Sequence, residues 1–219
     1  TLTSGVAHEI NNPLNNISTS MQIMLEELET PDIDYQRDLL VDAEKEVERA
    51  RDIVRALLEF SREKSFKLIR VEFSKLVENT IKLIKGEIPS NVELRIDVPV
   101  DIQGDMDVRR IEQVLINLVL NAADAMPQGG DLFLRVDFVK HEDINGKQYT
   151  PTPGNYVMVE VADTGIGMSP DIQKRVFEPF FSTRQGRAGT GLGLSVTYSL
   201  VKAHDGEIDF ETSRGEWTS

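Results

Sequence analysis

Cysteine is absent from the 219 residues. That excludes disulfides, thiol nucleophiles and cysteine-ligated metals, and fits a reducing compartment. Positive charge is scarce as well: 24 lysines and arginines stand against 37 acidic residues, for a net charge of −13. A duplex-binding protein needs a basic face to displace counterions, so nucleic acid is not expected as a partner. An anionic cofactor can still bind where a metal ion, helix N-termini or a few arginines act locally. No apolar run approaches the roughly 18 residues that span a bilayer, and no signal-peptide pattern opens the chain. The expected location is therefore cytoplasmic, with membrane attachment only through segments absent from this chain. Thr1 lies already inside a helical pattern and Ser219 inside a strand-like one, so both ends are expected to be cut.

With 40% hydrophobic residues, the length suffices for one good core plus a smaller unit, or for two modest domains. Residues 1 to about 64 read as two long helices. Ile10, Leu14, Ile17, Met21, Met24 and Leu28 alternate in spacing between four and three; Leu40, Ala43, Val47, Ala50, Val54 and Leu57 do the same in the second. These are heptad seams, broken by Thr30-Pro31-Asp32. A hairpin with one seam per helix cannot bury both flanks alone, which points to a dimeric four-helix bundle; the alternative is a monomeric hairpin laid on the rest of the chain. From about residue 70 the pattern changes. Strand-like stretches (Val92–Val98, Asp131–Val139, Tyr156–Ala162, Glu207–Glu211) alternate with helix-like ones (Lys75–Lys85, Met106–Ala125, Leu192–His204). That predicts an α+β or α/β sandwich, with helices over one face of a mixed sheet. The expected domains are a helical hairpin over 1–66 and a second domain over 67–219, with a short joint near Lys64–Leu68.

In the first helix the seam belongs to Ile10 and Leu14, which turns His8 and Glu9 toward solvent. An exposed imidazole presents a neutral nitrogen as nucleophile at neutral pH, and Glu9 can take a proton as it reacts. Asn12 falls one turn beyond His8 on the same face, where it could orient a water. Pro13 removes an N–H and frees the Glu9 carbonyl, which predicts a bend.

Three downstream clusters are hard to explain as core. Asn117 and Asn121 share one face of an apolar helix, and a hydrated Mg²⁺ with phosphate oxygens would satisfy both amides. The alternative is an amide bonded to backbone. Val157–Val161 ends in Asp163-Thr164-Gly165-Ile166-Gly167. A carboxylate at a strand end can accept from the exocyclic amine of adenine, and the two glycines let backbone approach a planar ring. Gly189-Thr190-Gly191-Leu192-Gly193 opens a helix, offering unpaired N–H groups to phosphate, without the Lys-Ser/Thr of a P-loop. Between them, Phe177–Phe181 leads into Gln185–Ala188, read as a lid from which Arg184 and Arg187 reach the phosphates.

In this order the pieces resemble the bacterial sensor histidine kinases of two-component systems, whose ATPase domain is shared with gyrase, Hsp90 and MutL. His8-Glu9 with Asn12 looks like the H box, Asn117 and Asn121 the N box, Asp163–Gly167 the G1 box, Phe177–Phe181 the F box, and Gly189–Leu194 the G2 box. His8-Glu9-Ile10-Asn11-Asn12-Pro13-Leu14 and Asn121–Met126 are most similar to the nitrogen-regulation-like subgroup. The resemblance implies a homodimer that autophosphorylates His8 from ATP and passes the phosphoryl group to an aspartate of a response-regulator receiver domain. It further implies that Glu9 assists His8, and that Asn12 positions water for dephosphorylation of the partner. Asn121 with Asn117 would hold Mg²⁺, Asp163 would read adenine, and Gly189–Gly193 would cradle the phosphates. Thr218 would lie near adenine. The chain departs from the pattern at Asp124, where many relatives have a phosphate-binding lysine, at Trp217 in place of a glycine, and at His204-Asp205-Gly206 in place of His-Gly-Gly. His204 and Gly206 read as helix C-terminal structure, and His141 as solvated. The competing expectations are an ATPase of the same superfamily without histidine phosphorylation, or a nucleotide-binding scaffold.

Overall fold

The computed structural model describes residues 2–28, 32–61, 66–140, 154–183 and 191–219, without the side chains of residues 2–9, 52 and 55–61. Thr30-Pro31, Lys64, Ser65 and His141 lie outside the described residues. Two units emerge: Thr1–Glu63 with Glu178–Leu192, and Lys64–Phe177 with Gly193–Ser219.

In the first unit, α1 (Leu2–Glu26) and α2 (Ile33–Ser61) run alongside one another. Asp32 starts α2 by accepting from the N–H groups of Asp34 and Tyr35 at 3.1 and 3.2 Å, which satisfies donors with no intrahelical partner. Each heptad seam is split. Ile10, Ile17, Met24 and Ala50 are half-buried and Ala43 buried in the hairpin's own contact, and Ile53, outside the seam as read, is buried with them. The alternate seam positions Leu14, Met21, Leu28, Leu40, Val47 and Val54 are 42–63% exposed. Two helices cover one side of an a/d seam and leave the other to further helices. Pro13 sits inside α1 and is buried.

The second unit is a sheet domain with α+β order. Its elements are β1 (Ile69–Glu72), α3 (Phe73–Ile84), β2 (Val92–Asp97), β3 (Gln103–Met106), α4 (Val108–Asp124), β4 (Gly130–Lys140), β5 (Asn155–Asp163), α5 (Pro170–Gln173), α6 (Gly193–Ala203), β6 (Thr212–Ser213) and β7 (Trp217–Thr218). The main sheet runs β2-β4-β5-β7-β6, with β2 parallel to β4 and the other pairs antiparallel; β1 and β3 form a separate two-stranded ribbon. Alternation sorts β4 into two faces. Leu132, Leu134 and Val136 are buried under α3 and α4, among Leu76, Val77, Ile81, Leu115, Val119 and Ala122. The opposite face carries Phe133 and Arg135, joined to Arg95, Asp97 and Glu160 by a cation–π contact and ion pairs. This is the expected arrangement of helices over one face of a mixed sheet.

Three assignments differ from the sequence reading, and the shortest elements went unread. Met106 closes β3 instead of opening α4, because Asp107 takes the cap and accepts from the Arg110 N–H at 3.4 Å. Glu207–Glu211 is not a strand: within it only Glu211 pairs, exchanging both backbone bonds with Ser219 at 2.8 Å, and the ladder falls on β6 and β7. α6 stops at Ala203 in a two-bond C-terminal motif, with Gly206 N–H to Val201 O and Asp205 N–H to Lys202 O, both at 3.0 Å. Asp205, at φ 55°, takes the left-handed position there, and Gly206 follows it. The short elements β1, β3 and α5 carry too few residues for a periodic signal.

Candidate functional site

Asp163 ends β5 with 5% of its surface exposed. Its Oδ1 accepts from the Gly165 N–H at 2.8 Å. Burial pushes its carboxyl above the usual carboxylate range, and the Gly165 bond only partly offsets that. Gly165 is required by close approach: a Cβ there would lie 2.6 Å from both the Ala125 carbonyl oxygen and Asp163 Oδ1. The Ile166 N–H donates to that same Ala125 carbonyl at 3.0 Å, so the turn after β5 is fastened to the end of α4. Gly167 continues the turn beside Ser213. Across the sheet, the register pairs Asp163 with Thr218. Directly opposed residues share a face, so Thr218 stands beside the carboxylate although Trp217 precedes it. Thr212, which sequence reasoning passed over, ties this corner together. Its Oγ1 lies 3.0 Å from Thr218 Oγ1 and accepts from the Met168 N–H at 3.0 Å.

The second cluster is built by α4 against the start of α6. Asn117 donates through Nδ2 to the Gly193 carbonyl at 3.1 Å and to Thr197 Oγ1 at 3.3 Å. Its own Oδ1 accepts from Gln113 Nε2 at 3.0 Å. Both ends of this amide are therefore engaged within the protein, by one backbone carbonyl and two side chains. Gln113 and Thr197 were missed, though each stands one turn from a predicted residue. Asn121 is exposed and makes no side-chain hydrogen bond among the described residues. Its Nδ2 lies 3.5 Å from where a Cβ on Gly193 would be, so this amide and the N-terminus of α6 face one small gap. Asp124 is exposed at the last position of α4.

Phe177 anchors on Tyr198 and Phe210, with ring centroids 5.4 and 5.9 Å apart. In the Glu178–Leu192 segment, Gly191 sits at φ +64° with its Cα against Phe180; a Cβ would come within 2.4 Å of the Phe180 carbonyl carbon. Phe180 is itself at φ 66°, a strained setting for a bulky residue. Leu192 is buried. Arg184, Arg187, Gly189, Thr190 and the expected lid 185–188 lie outside the described residues. His8 and Glu9 are on α1, their side chains outside the description, and Asn12 is half-buried on the same helix.

A nucleotide fits the second unit on two counts. Asp163 keeps one carboxylate oxygen beyond its Gly165 bond, above a glycine turn that a side chain would fill. Asn121 and the α6 N-terminus offer N–H donors to an anion, and the Asn121 amide oxygen is available to a cation beside it. No group of three or more histidines or acidic residues stands ready to hold a metal among the described residues.

A mixed five-stranded sheet under helices, with such a carboxylate and amide pair, suits a nucleotide-binding domain. Residues 106–219 match the family described as histidine kinase-, DNA gyrase B- and HSP90-like ATPase, and residues 1–66 match the His Kinase A phospho-acceptor domain. The chain belongs to this ATPase family, as a histidine kinase core of the two-component sensor type that joins a phospho-acceptor domain to an ATP-binding domain. It is 33% identical over 220 residues to the sensor kinase CckA of Brucella abortus, covering 100% of this chain and 23% of that protein. It is 32% identical over 216 residues to the sensory histidine kinase/phosphatase NtrB of Salmonella typhimurium, covering 98% of this chain and 59% of that one. Among solved structures, histidine kinase ThkA in complex with the response regulator TrrA aligns with a TM-score of 0.69 at 26% identity, over 99% of this chain and 59% of that one. The chain thus spans between about a quarter and three-fifths of the length of these relatives. No helix among the described residues is long and apolar enough to cross a membrane.

Proposed function

We propose that this core transfers the γ-phosphoryl group of ATP to His8 and then to an aspartate of a response-regulator receiver domain. The observation that carries the reading is the pairing of Asp163 and Thr218 above the Gly165 turn, in a chain whose first 66 residues match a phospho-acceptor domain. Asp163 reads the adenine amine through the oxygen that Gly165 leaves free, and Thr218 flanks it. Gly167 and the glycines at 189, 191 and 193, with Thr190 and Leu192, line the phosphates. Arg184 offsets their charge, a task made heavier by the acidic Asp124.

Asn121 would be the protein's ligand to Mg²⁺, and the bound ion would offset charge on the polyphosphate. Asn117 serves that site by holding α6. In the transfer itself, an imidazole nitrogen of His8 bonds to the γ-phosphorus as the bond to the ADP oxygen breaks, and Glu9 receives the ring proton. Catalysis of this kind rests on positioning and charge neutralisation. The N–P bond is reactive enough to pass its phosphoryl group to a carboxylate. The NtrB likeness, together with Asn12 one turn from His8, supports a phosphatase activity in which Asn12 orients water. The exposed heptad stripe of α1 and α2 supports a homodimer. A receiver domain docks on that bundle near His8, and the core works in the cytoplasm.

Incubation with γ-labelled ATP tests the reading. Acid-labile label is expected on the wild type and should vanish in His8→Gln while ATP binding persists. ATP hydrolysis without any labelled protein would instead identify an ATPase of the same superfamily.

A further inference from the structure

His204 belongs to no part of the mechanism above, yet two segments far from it in sequence meet at its ring. It follows α6, and its Nδ1 lies 2.8 Å from the Leu200 carbonyl oxygen. A carbonyl only accepts, so Nδ1 carries the proton. Its Nε2 lies 3.1 Å from the backbone N–H of Asp107, the N-cap of α4. An N–H only donates, so Nε2 must be bare. Both partners therefore require the neutral ring, in one tautomer.

The surroundings reinforce that demand. Phe66 meets the ring edge-on at a centroid distance of 4.6 Å, and Arg110 lies over the other ring of that pair, 5.0 Å from the Phe66 centroid. Asp107, besides capping α4, accepts from the Lys67 backbone N–H at 3.3 Å and stands 3.7 Å from Arg110 Nε. The charged side chains packed around His204 from α4 are thus Asp107 and Arg110, which pair with each other. From its own side, Lys202 is paired with Glu207, and Asp205 is exposed.

The tie at His204 complements the one at Asn117. α6 runs antiparallel to α4, with Gly193 and Thr197 held by Asn117 and His204 held by Asp107. The two anchor points on α4 are ten residues apart in number, about 15 Å along the helix. Together they fix the axis of α6, and with it the direction in which its N-terminus faces Asn121. Lose either and α6 can pivot about the other.

The geometry points to His204 as a positioning residue for the nucleotide: as a neutral imidazole it pins the C-terminal end of α6 to the cap of α4, so that the helix N-terminus stays aimed at the phosphates. This rests on the nucleotide reading of the site.

The test is the affinity of the full chain for ATP with magnesium, measured by calorimetry, with nitrogen chemical shifts of the ring read beside it. His204→Gln offers Oε1 to the Asp107 N–H and should bind ATP within about two-fold of the wild type. His204→Ala leaves that N–H without its acceptor and should bind about two- to ten-fold more weakly, the scale of one hydrogen bond. The nitrogen shifts should show Nδ1 protonated and Nε2 bare; the opposite tautomer overturns the inference. So does a His204→Gln as weak as His204→Ala, or wild-type affinity in His204→Ala. A wild type that binds no ATP overturns the nucleotide reading and takes this inference with it, whereas binding without these differences overturns this inference alone.

Discussion

A buried carboxylate kept in an apolar corner costs the folded state, and Asp163 shows where that cost goes. Because burial raises its folded pKa, the folded chain binds the proton more tightly than the unfolded one. Its effect on stability is therefore neutral or favourable in acid, and unfavourable as pH rises from the usual carboxylate range of about 4 through the raised value. Asp163→Asn removes this dependence, since an amide oxygen can still accept from the Gly165 N–H. Thermal melts from about pH 4 to 8 should find the variant gaining on the wild type as pH increases. At the same time ATP affinity should drop by about ten-fold or more, because one amide oxygen cannot serve both Gly165 and the adenine amine. Stability and binding would move in opposite directions, as expected where a strained charge serves a ligand. A variant that melts lower than the wild type at neutral pH would contradict the assignment of burial as the cause. Asp163 itself was legible in the sequence, since an apolar strand ended in a carboxylate and two glycines. Its neighbour Thr212 was not, because no local pattern announces which hydroxyl will close a corner between strands.

At the scale of elements, the longer helices and strands of the sheet domain were read to within two or three residues wherever the apolar period persisted, as in α3 and β4. The reading failed where pairing, not period, makes the strand. β6 and β7 hold two residues each and exist because a turn brings Ser213 opposite Trp217, while Glu207–Glu211 alternates convincingly and stays outside the ladder. The same limit applies to α4. Spacing put Asn117 and Asn121 on one face, but it could not say that α6 would occupy one amide and leave the other open. The two residues should therefore part company under mutation. Asn117→Ala leaves the Thr197 hydroxyl, 0% exposed, and the Gly193 carbonyl without their donor, at a cost of about 1–3 kcal/mol. For a chain of this size each kcal/mol lowers Tm by about 2–4 °C. Asn121→Ala, at an exposed position, should leave Tm within about a degree and remove the magnesium dependence of ATP binding. Equal thermal losses in the two variants would return both amides to a purely structural role.

For the whole molecule, the decisive feature is surface that one copy cannot cover. Leu14, Met21 and Leu28 repeat every seven residues along α1 and just past it, and Leu40, Val47 and Val54 do so along α2. A stripe of this kind is what half of a bundle would present to a second copy. An interface built on one apolar stripe should be sensitive to one charge. In Val47→Lys, symmetry places the lysine twice against the same stripe, and each ammonium pays several kcal/mol for desolvation. Sedimentation equilibrium should give the wild type twice the mass of the chain at micromolar concentration, with a Tm that rises with concentration, and Val47→Lys a single chain with a concentration-independent Tm. ATP affinity should be equal in the two, because Asp163, Thr218 and Asn121 lie in the other unit. A wild type that sediments as one chain at the highest attainable concentration, or a lysine variant that still pairs, would assign the exposed heptad positions to something other than a second copy.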